Sequence, residues 1–416
     1  MSEWKEYKIS EVIDEISMGP FGSNIKVDNF IDSGVPVLNG SNLQGFKLNE
    51  VSFNYVSQEK ADSLGKANAH RGDVVITHRG TLGQIVYIPE DSNYEQYVIS
   101  QSQFRLKLKK ELIRPDFLVY FFHTRIGQHR IMMNASQVGV PALARPTSTF
   151  KEVFVPVPPL KIQNEVMAIL SSLDDKIAVN RRICENLEAQ AQALFKNWFV
   201  DFAPFKNGKF VESELGLIPE GWRVGTLGDL VEIIDNRGKT PPLCSESIYP
   251  IIDVKTLTGE GRIVSYEKCS KFVNQDTYNN WFRSGHPQKG DILLSTVGSL
   301  AEMKIFMGGL GCIAQNVVAL RNPQKSLYLY DYLNWIKKDL LSYNIGSVQP
   351  SIKVTHIIKH KVLIPDQNIL LRYQDIVKEI TEKSYSNNAE ITLLSNIRDT
   401  LLPKLMSGEI KIKYYA

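Results

Sequence analysis

The sequence predicts a mixed α/β protein: two tandem α/β modules separated by two long antiparallel coiled-coil helices, with an internal pseudo-twofold repeat. Three observations carry this. Matching motifs recur in the same order about half a chain apart. Short β-rich runs broken by turn residues fill the body of each half. A sustained heptad seam closes each half.

The repeat begins at the tryptophans. Trp4-Lys-Glu-Tyr-Lys-Ile-Ser-Glu-Val-Ile and Trp222-Arg-Val-Gly-Thr-Leu-Gly-Asp-Leu-Val lie 218 residues apart. At the same spacing Gly72-Asp-Val-Val-Ile76 matches Gly290-Asp-Ile-Leu-Leu294, and Gly80-Thr-Leu82 matches Gly298-Ser-Leu300. Further on, Ser100-Gln101 aligns with Ala314-Gln315, Asp116-Phe-Leu118 with Asp331-Tyr-Leu333, Pro141 with Pro350, and Val155-Pro156 with Ile364-Pro365. The order never changes, and the spacing drifts by the small steps that loop insertions produce in two copies of one fold.

Each copy then has one plan. β-Rich runs such as 73–87 and 104–108 come first, separated by Gly, Asn and Asp turns. A helical patch follows, around 117–133 and 330–343. Next is a Pro-marked strand, 153–157 or 361–364, and last a long helix. The expected boundaries are 1–159 and 220–366 for the modules, 160–200 and 367–416 for the helical segments, and 201–219 for a Pro-, Gly- and Asn-rich connector.

After Pro158-Pro159 apolar positions alternate by four and three: Val166, Leu170, Leu173, Ile177, Asn180, Cys184, Leu187, Ala191, Leu194 and Trp198. That is a coiled-coil seam, narrower than the stripe of an ordinary surface helix. The second helix, about 368–405, shows Tyr373, Val377, Ile380, Ile391, Leu394, Leu401 and Leu405. Aligned at a spacing of 208, Asn180 falls on Asn388; at 207 it falls on Asn387, and both registers fit. An Asn in such a seam lowers stability and fixes register. Pro403 is expected to end or kink the second helix near its last turn. Each helix finds its most economical partner in the other, antiparallel; the alternative is that each packs on its own module. Roughly 35 helical residues span about 50 Å.

The chain has 416 residues, is 43% hydrophobic and carries a formal net charge of +3. Size allows two or three domains with sizeable cores. Net charge makes a weak case for a polyanionic partner, but its distribution makes a better one. Residues 117–151 contain no acid and hold Arg125, Arg130, Arg145 and Lys151, with His123 and His129. The corresponding span 332–361 holds Lys337, Lys338, Lys353, Lys359 and Lys361 with one acid, Asp339. An acid-poor basic tract at one place in both repeats suits a phosphate-tracking surface; the ordinary alternative is a solvated face. Nearby polar residues able to meet base edges are His78, Arg79, Thr81, Gln101 and Gln137 in the first copy, and Thr296, Ser299, Gln315, Gln349 and Ser351 in the second.

Other classes are poorly served. Four cysteines without CxxC spacing form neither a disulfide framework nor a zinc site. No apolar run approaches a membrane span and the N-terminus lacks a signal-peptide core, so the chain reads as soluble and cytoplasmic. Neither Pro-Pro pair, at 158–159 or 241–242, sits in the Asn/Asp-Pro-Pro-aromatic motif of an adenine methyltransferase. There is no GxxxxGK[ST] loop for ATP and no evident nuclease cluster.

The residues resemble a known family, the specificity subunits of Type I restriction-modification systems. The likeness rests on Ala193-Leu-Phe-Lys-Asn-Trp-Phe-Val-Asp-Phe202, Glu214-Leu-Gly-Leu-Ile-Pro-Glu-Gly-Trp222 and Leu394-Ser-Asn-Ile-Arg-Asp-Thr-Leu-Leu-Pro-Lys-Leu-Met-Ser-Gly-Glu-Ile410. The Gly80-Thr-Leu-Gly83 and Gln349-Pro-Ser-Ile-Lys353 turns add to it. The resemblance implies a non-catalytic chain whose modules each read one half of a bipartite double-stranded DNA site. The helices then set half-site spacing and dock two modification (methyltransferase) subunits. It also implies restriction (motor-nuclease) subunits, with S-adenosylmethionine, ATP and Mg on those partners and none here. Gln137-Val-Gly-Val-Pro141 departs from the Gln-Pro-Ser-Ile-Lys form, which leaves the role of Gln137 open. A coiled-coil assembly scaffold whose modules bind protein is the alternative reading.

Overall fold

The computed structural model describes residues 4–133, 135–136, 140–246, 248–346 and 348–410. The chain divides into two compact units, Met1–Asp175 with Leu394–Ala416, and Lys176–Leu393. The division is not the one expected from the repeat alone. Each unit takes one module and a stretch of both long helices.

Unit 1 is built on a four-stranded antiparallel sheet. Its order is Ile13–Met18, Gln103–Leu108, Val74–Thr77, Ile85–Tyr87. Unit 2 repeats that order with Glu232–Ile234, Val317–Arg321, Ile292–Ser295 and Met303–Ile305. The central strands, Val74–Thr77 and Ile292–Ser295, are buried along their whole length, which is why they read as continuous apolar runs rather than alternating ones. A second sheet carries a parallel pairing in both units, Val35–Val37 with Gln96–Val98 and Tyr249–Ile252 with Cys312–Ile313. A clasp closes each module: Lys5–Lys8 pairs with Phe154–Val157, and Arg223–Thr226 with Lys361–Ile364.

The long helices run Leu160–Phe199 and Gln367–Met406. The first starts against Pro158, whose carbonyl accepts from the Gln163 amide at 2.8 Å. Its end is marked by Phe202 at φ +49° and by Lys196 bound to Asp201 at 2.7 Å. Pro403 lies inside the final turn of the second helix, which stops at Met406. Gly408 follows with φ +72°, a conformation that glycine adopts at least cost.

The helices pair antiparallel within each unit. In unit 2, Asn180 donates to Glu390 at 2.9 Å and the Cys184 thiol lies 3.7 Å from the Ser384 carbonyl. In unit 1, Arg398 meets Asp174 at 2.7 Å, and Val166, Met167 and Leu170 share one core with Leu402, Leu405 and Met406. Packing on the modules occurs as well, so the two expectations are not exclusive. Of the seam residues, Leu170, Ile177, Asn180 and Ile391 are buried; Leu173, Leu187, Leu194, Trp198, Ile380, Leu394 and Leu401 are half-buried. Burial selects the 207 register. Asn180 and Asn387 are both buried, and so are Ile177 and Ser384, Phe195 and Leu402, and Phe199 and Met406. Asn388 instead turns its amide to the Cys184 sulfur and the Ser384 carbonyl.

Candidate nucleic-acid interface

In each unit three of the chain segments singled out above are brought together at one end of the four-stranded sheet. Gly80 and Gly298 hold the turns after the central strands, both with positive φ, +86° and +83°. Each donates its amide to a distant proline carbonyl at 3.0 Å, Gly80 to Pro141 and Gly298 to Pro350. A second bond mirrors it: Leu143 donates to the His78 carbonyl at 2.9 Å, and Ile352 to the Thr296 carbonyl at 2.8 Å. The result is an antiparallel bridge, Arg79 to Ala142 and Val297 to Ser351. The third segment is the loop at Gln101 or Gln315. The His78 ring lies 3.1 Å from the Gln101 carbonyl, and Thr296 N donates to the Asn316 carbonyl at 2.8 Å.

A fourth segment joins each rim and was not singled out from the sequence. Gly19 donates to the Gln103 carbonyl at 2.8 Å, and a β-carbon there would sit 1.9 Å from the Ser100 carbonyl oxygen, so only glycine fits. Gly22 in turn lies against the Gln101 side chain. In unit 2 the Gln315 amide donates to the Thr240 hydroxyl, and Thr240 stands 218 residues after Gly22. Continuing the tryptophan alignment past Ile13 would have found this loop.

The candidate residues divide by exposure. Arg79, Thr81 and Gln101 are exposed on the rim of unit 1, and Arg145 is exposed just beyond Leu143. Ser299, Gln315, Gln349 and Lys353 are exposed on the rim of unit 2, with Ser351 half-buried in the bridge. Thr296 is completely buried, its hydroxyl accepting from Arg237 at 3.3 Å; it holds the rim together rather than facing outward. His78 is half-buried and burial pushes its imidazole below the usual range, so it stays neutral near pH 7. Gln137 lies outside the described residues.

The basic tract does not form one face. Arg130 donates to the Phe154 carbonyl at 2.6 Å, pairs with Glu6 at 3.2 Å and lies over the Phe121 ring. Arg125 is exposed beside it, in a hollow with Trp4, Pro156 and Met406, and Lys338 is exposed on the helix Lys337–Ser342. None of the three takes part in the loop contacts above. Arg237 does: it pairs with Asp235 at 2.7 Å and reaches Thr296, so this cation belongs to the rim although it lies outside the tract. Exposed apolar tips accompany the polar groups, Phe21 in unit 1 and Val348 in unit 2.

Such a rim presents short polar side chains on loops stapled to a rigid sheet. It has the donors and acceptors that base edges pair with, and guanidinium groups for phosphate or guanine. Among the described residues no group of three or more His, Cys, Asp or Glu side chains is placed to hold a metal ion, and the four cysteines are free. Among the described residues no helix is long and apolar enough to cross a membrane.

Known proteins resemble the chain over nearly its whole length. The model of the Type I restriction modification DNA specificity domain matches twice, over residues 1–189 and 219–392. The chain is 28% identical to the Type I restriction enzyme MjaIX specificity subunit of Methanocaldococcus jannaschii, over 99% of this chain and 94% of that one. It is 25% identical to the HindI specificity subunit of Haemophilus influenzae, over 99% and 100%. The crystal structure of the Type I restriction-modification S subunit from M. genitalium shares the fold with a TM-score of 0.58 at 18% identity, covering 97% of this chain and 96% of that one. With matches to both halves and to nearly the full length, the chain belongs to the Type I restriction modification DNA specificity family.

Proposed function

We propose that the chain is the sequence-reading subunit of a Type I restriction-modification complex, each rim reading one half of a bipartite DNA site. The observation that carries this is the rim itself, built twice from corresponding loops that share one glutamine, Gln101 or Gln315, and differ in their other exposed side chains. Arg79, Thr81 and Gln101 face out in one unit, and Ser299, Gln315, Gln349 and Lys353 in the other. One scaffold with two sets of contact residues suits a protein that reads two different half-sites.

On this reading the long helices set the half-site spacing and dock two modification subunits. Those partners carry S-adenosylmethionine; restriction subunits bring ATP and Mg. The chain itself supplies recognition without chemistry and acts in the cytoplasm. Binding to duplex DNA tests it. Affinity should fall steeply between 50 and 200 mM salt, as it does when lysines and arginines displace counterions from phosphate, by about tenfold for every two such contacts. Affinity indifferent to both salt and sequence would contradict the reading and favour a protein-binding scaffold.

A further inference from the structure

The two units fasten their modules to the helices with ionic anchors of opposite construction. In unit 2 the cation comes from the module. Arg262, whose side chain is fully buried, donates to Glu188 on the first long helix at 2.9 Å, to Thr381 on the second at 3.2 Å and to Asp331 of the module at 3.1 Å. Tyr373 of the second helix donates to the other Asp331 oxygen at 2.8 Å, and the Tyr330 ring lies under the guanidinium. Lys304 is buried beside this group and gives its ammonium protons to the carbonyls of Gly259, Glu260 and Gly261.

In unit 1 the less exposed cation comes from the helix, and the module adds only an exposed pair, Lys47 with Asp175 at 2.8 Å. Arg398 pairs with Asp174 at 2.7 Å, and Tyr120 of the module donates to the same carboxylate. The guanidinium lies over the ring of Phe46, itself stacked on Tyr120 at 4.1 Å.

Phe46 and Arg262 occupy one position of the repeat. The Phe46 carbonyl accepts from Tyr87 N, the Arg262 carbonyl accepts from Ile305 N, and Tyr87 and Ile305 stand 218 residues apart. In the helix register of 207, Arg398 corresponds to Ala191, Asp174 to Thr381 and Glu188 to Ser395. One unit sets an aromatic ring on the module against an arginine on the helix; the other carries an arginine on the module and an alanine at the corresponding helix position.

We propose that these anchors key each module to its own place on the helix pair, so that the modules cannot trade places without a loss of stability. Charge gives the physical reason. As built, Arg262 meets Glu188 and Asp331, Lys304 is held by carbonyls of its own module, and Arg398 meets Asp174 and the exposed Asp399. With the modules exchanged, Glu188 would lose the buried guanidinium that engages it and meet the Phe46 ring. Arg262 would take the place of the ring that Arg398 lies over, setting one guanidinium against another. A half-buried carboxylate stripped of its partner and two facing cations are each costlier than the paired state.

A rescue cycle on the full-length chain tests the keying. Phe46→Arg sets a second guanidinium against Arg398 and should lower the thermal midpoint of unit 1, followed by hydrogen exchange, by about 5–10 °C. Adding Arg398→Ala to it removes the facing cation, frees Asp174 for the new arginine and should recover at least half of that loss. A double variant no more stable than Phe46→Arg alone would overturn the proposal.

A second measurement uses the exchanged chain. Exchanging residues 4–157 with 223–364 should lower the thermal midpoint of both units. The same exchange with Asp174→Thr, Glu188→Ser, Ala191→Arg, Thr381→Asp, Ser395→Glu and Arg398→Ala should restore most of it. An exchanged chain as stable without the six helix changes as with them would overturn the keying.

Discussion

The two units share strand order, clasp and rim bridge, yet they are packed onto the helices with different chemistry. Unit 2 uses an aromatic knot. Phe195 and Phe199 of the first helix and Tyr373 of the second close on Tyr328, with Trp222 against Phe199 at 5.7 Å. The corresponding places in unit 1 hold Leu402, Met406 and Val166, packed with Phe117, Tyr120 and their neighbours. The repeat therefore conserves geometry rather than side chains. A backbone bridge needs glycine and a distant carbonyl, whereas a buried face needs only volume and apolarity, which several residue combinations provide.

Substitution at matched positions sharpens that contrast. Phe199→Ala should cost about 3–5 kcal/mol, and Met406→Ala less, within the roughly 2–5 kcal/mol typical of buried aliphatic truncation. Hydrogen exchange resolved by unit measures both. Each loss should stay in its own unit, and equal losses would break the aromatic-against-aliphatic distinction.

A change at the rims should be smaller and should act on DNA rather than on folding. Gln315→Ala should cost about 1–3 kcal/mol of discrimination at one base pair of one half-site, and Gln101→Ala the same in the other. Competition binding with single-base variants of the site checks this. Loss of affinity spread uniformly over all sequences would assign these glutamines to the backbone. Insertion of one heptad into either long helix should leave both half-sequences and change their spacing, which methylome sequencing would read.

The smallest expected effect is a change of slope. Burial pushes the Lys304 ammonium down from 10.5 to about 8. Between those values the unfolded chain binds a proton that the folded chain does not, so folded stability rises with pH across that window. Below about pH 8 both forms are charged and the cost of burying the ammonium is constant. Lys304→Met should remove the rise between pH 8 and 10.5 in the thermal midpoint of unit 2. An unchanged slope would mean that the three carbonyls compensate the burial.

Much of the architecture was legible because it is periodic or punctuated. The heptad seam and Pro158-Pro159 marked the first helix to within a residue of Leu160–Phe199, and the spacing of 218 marked the duplication. The helix register was not legible, since Asn180 finds an asparagine at either spacing and only the burial of Asn387, Ser384, Leu402 and Met406 selects 207. The rims were half legible. A glycine turn after a strand points to Arg79 and Thr81, but sequence position carries no exposure, so Thr296 was placed outward when it lies in the interior. Basic composition misled at Arg130, which a carbonyl and Glu6 engage from far along the chain. The anchors were not legible at all. Arg262 meets Glu188, Asp331 and Thr381 only after folding, and no local pattern distinguishes it from a surface arginine.

The central claim is that two separate rims read two separate half-sites, and one measurement addresses it directly. Methylated sites would be sequenced in native cells in which Arg79, Thr81 and Gln101 are replaced together by the residues of another family member. The account expects one half of the bipartite sequence to change, with the other half and the spacing intact. A change in both halves, or none in either, would contradict it.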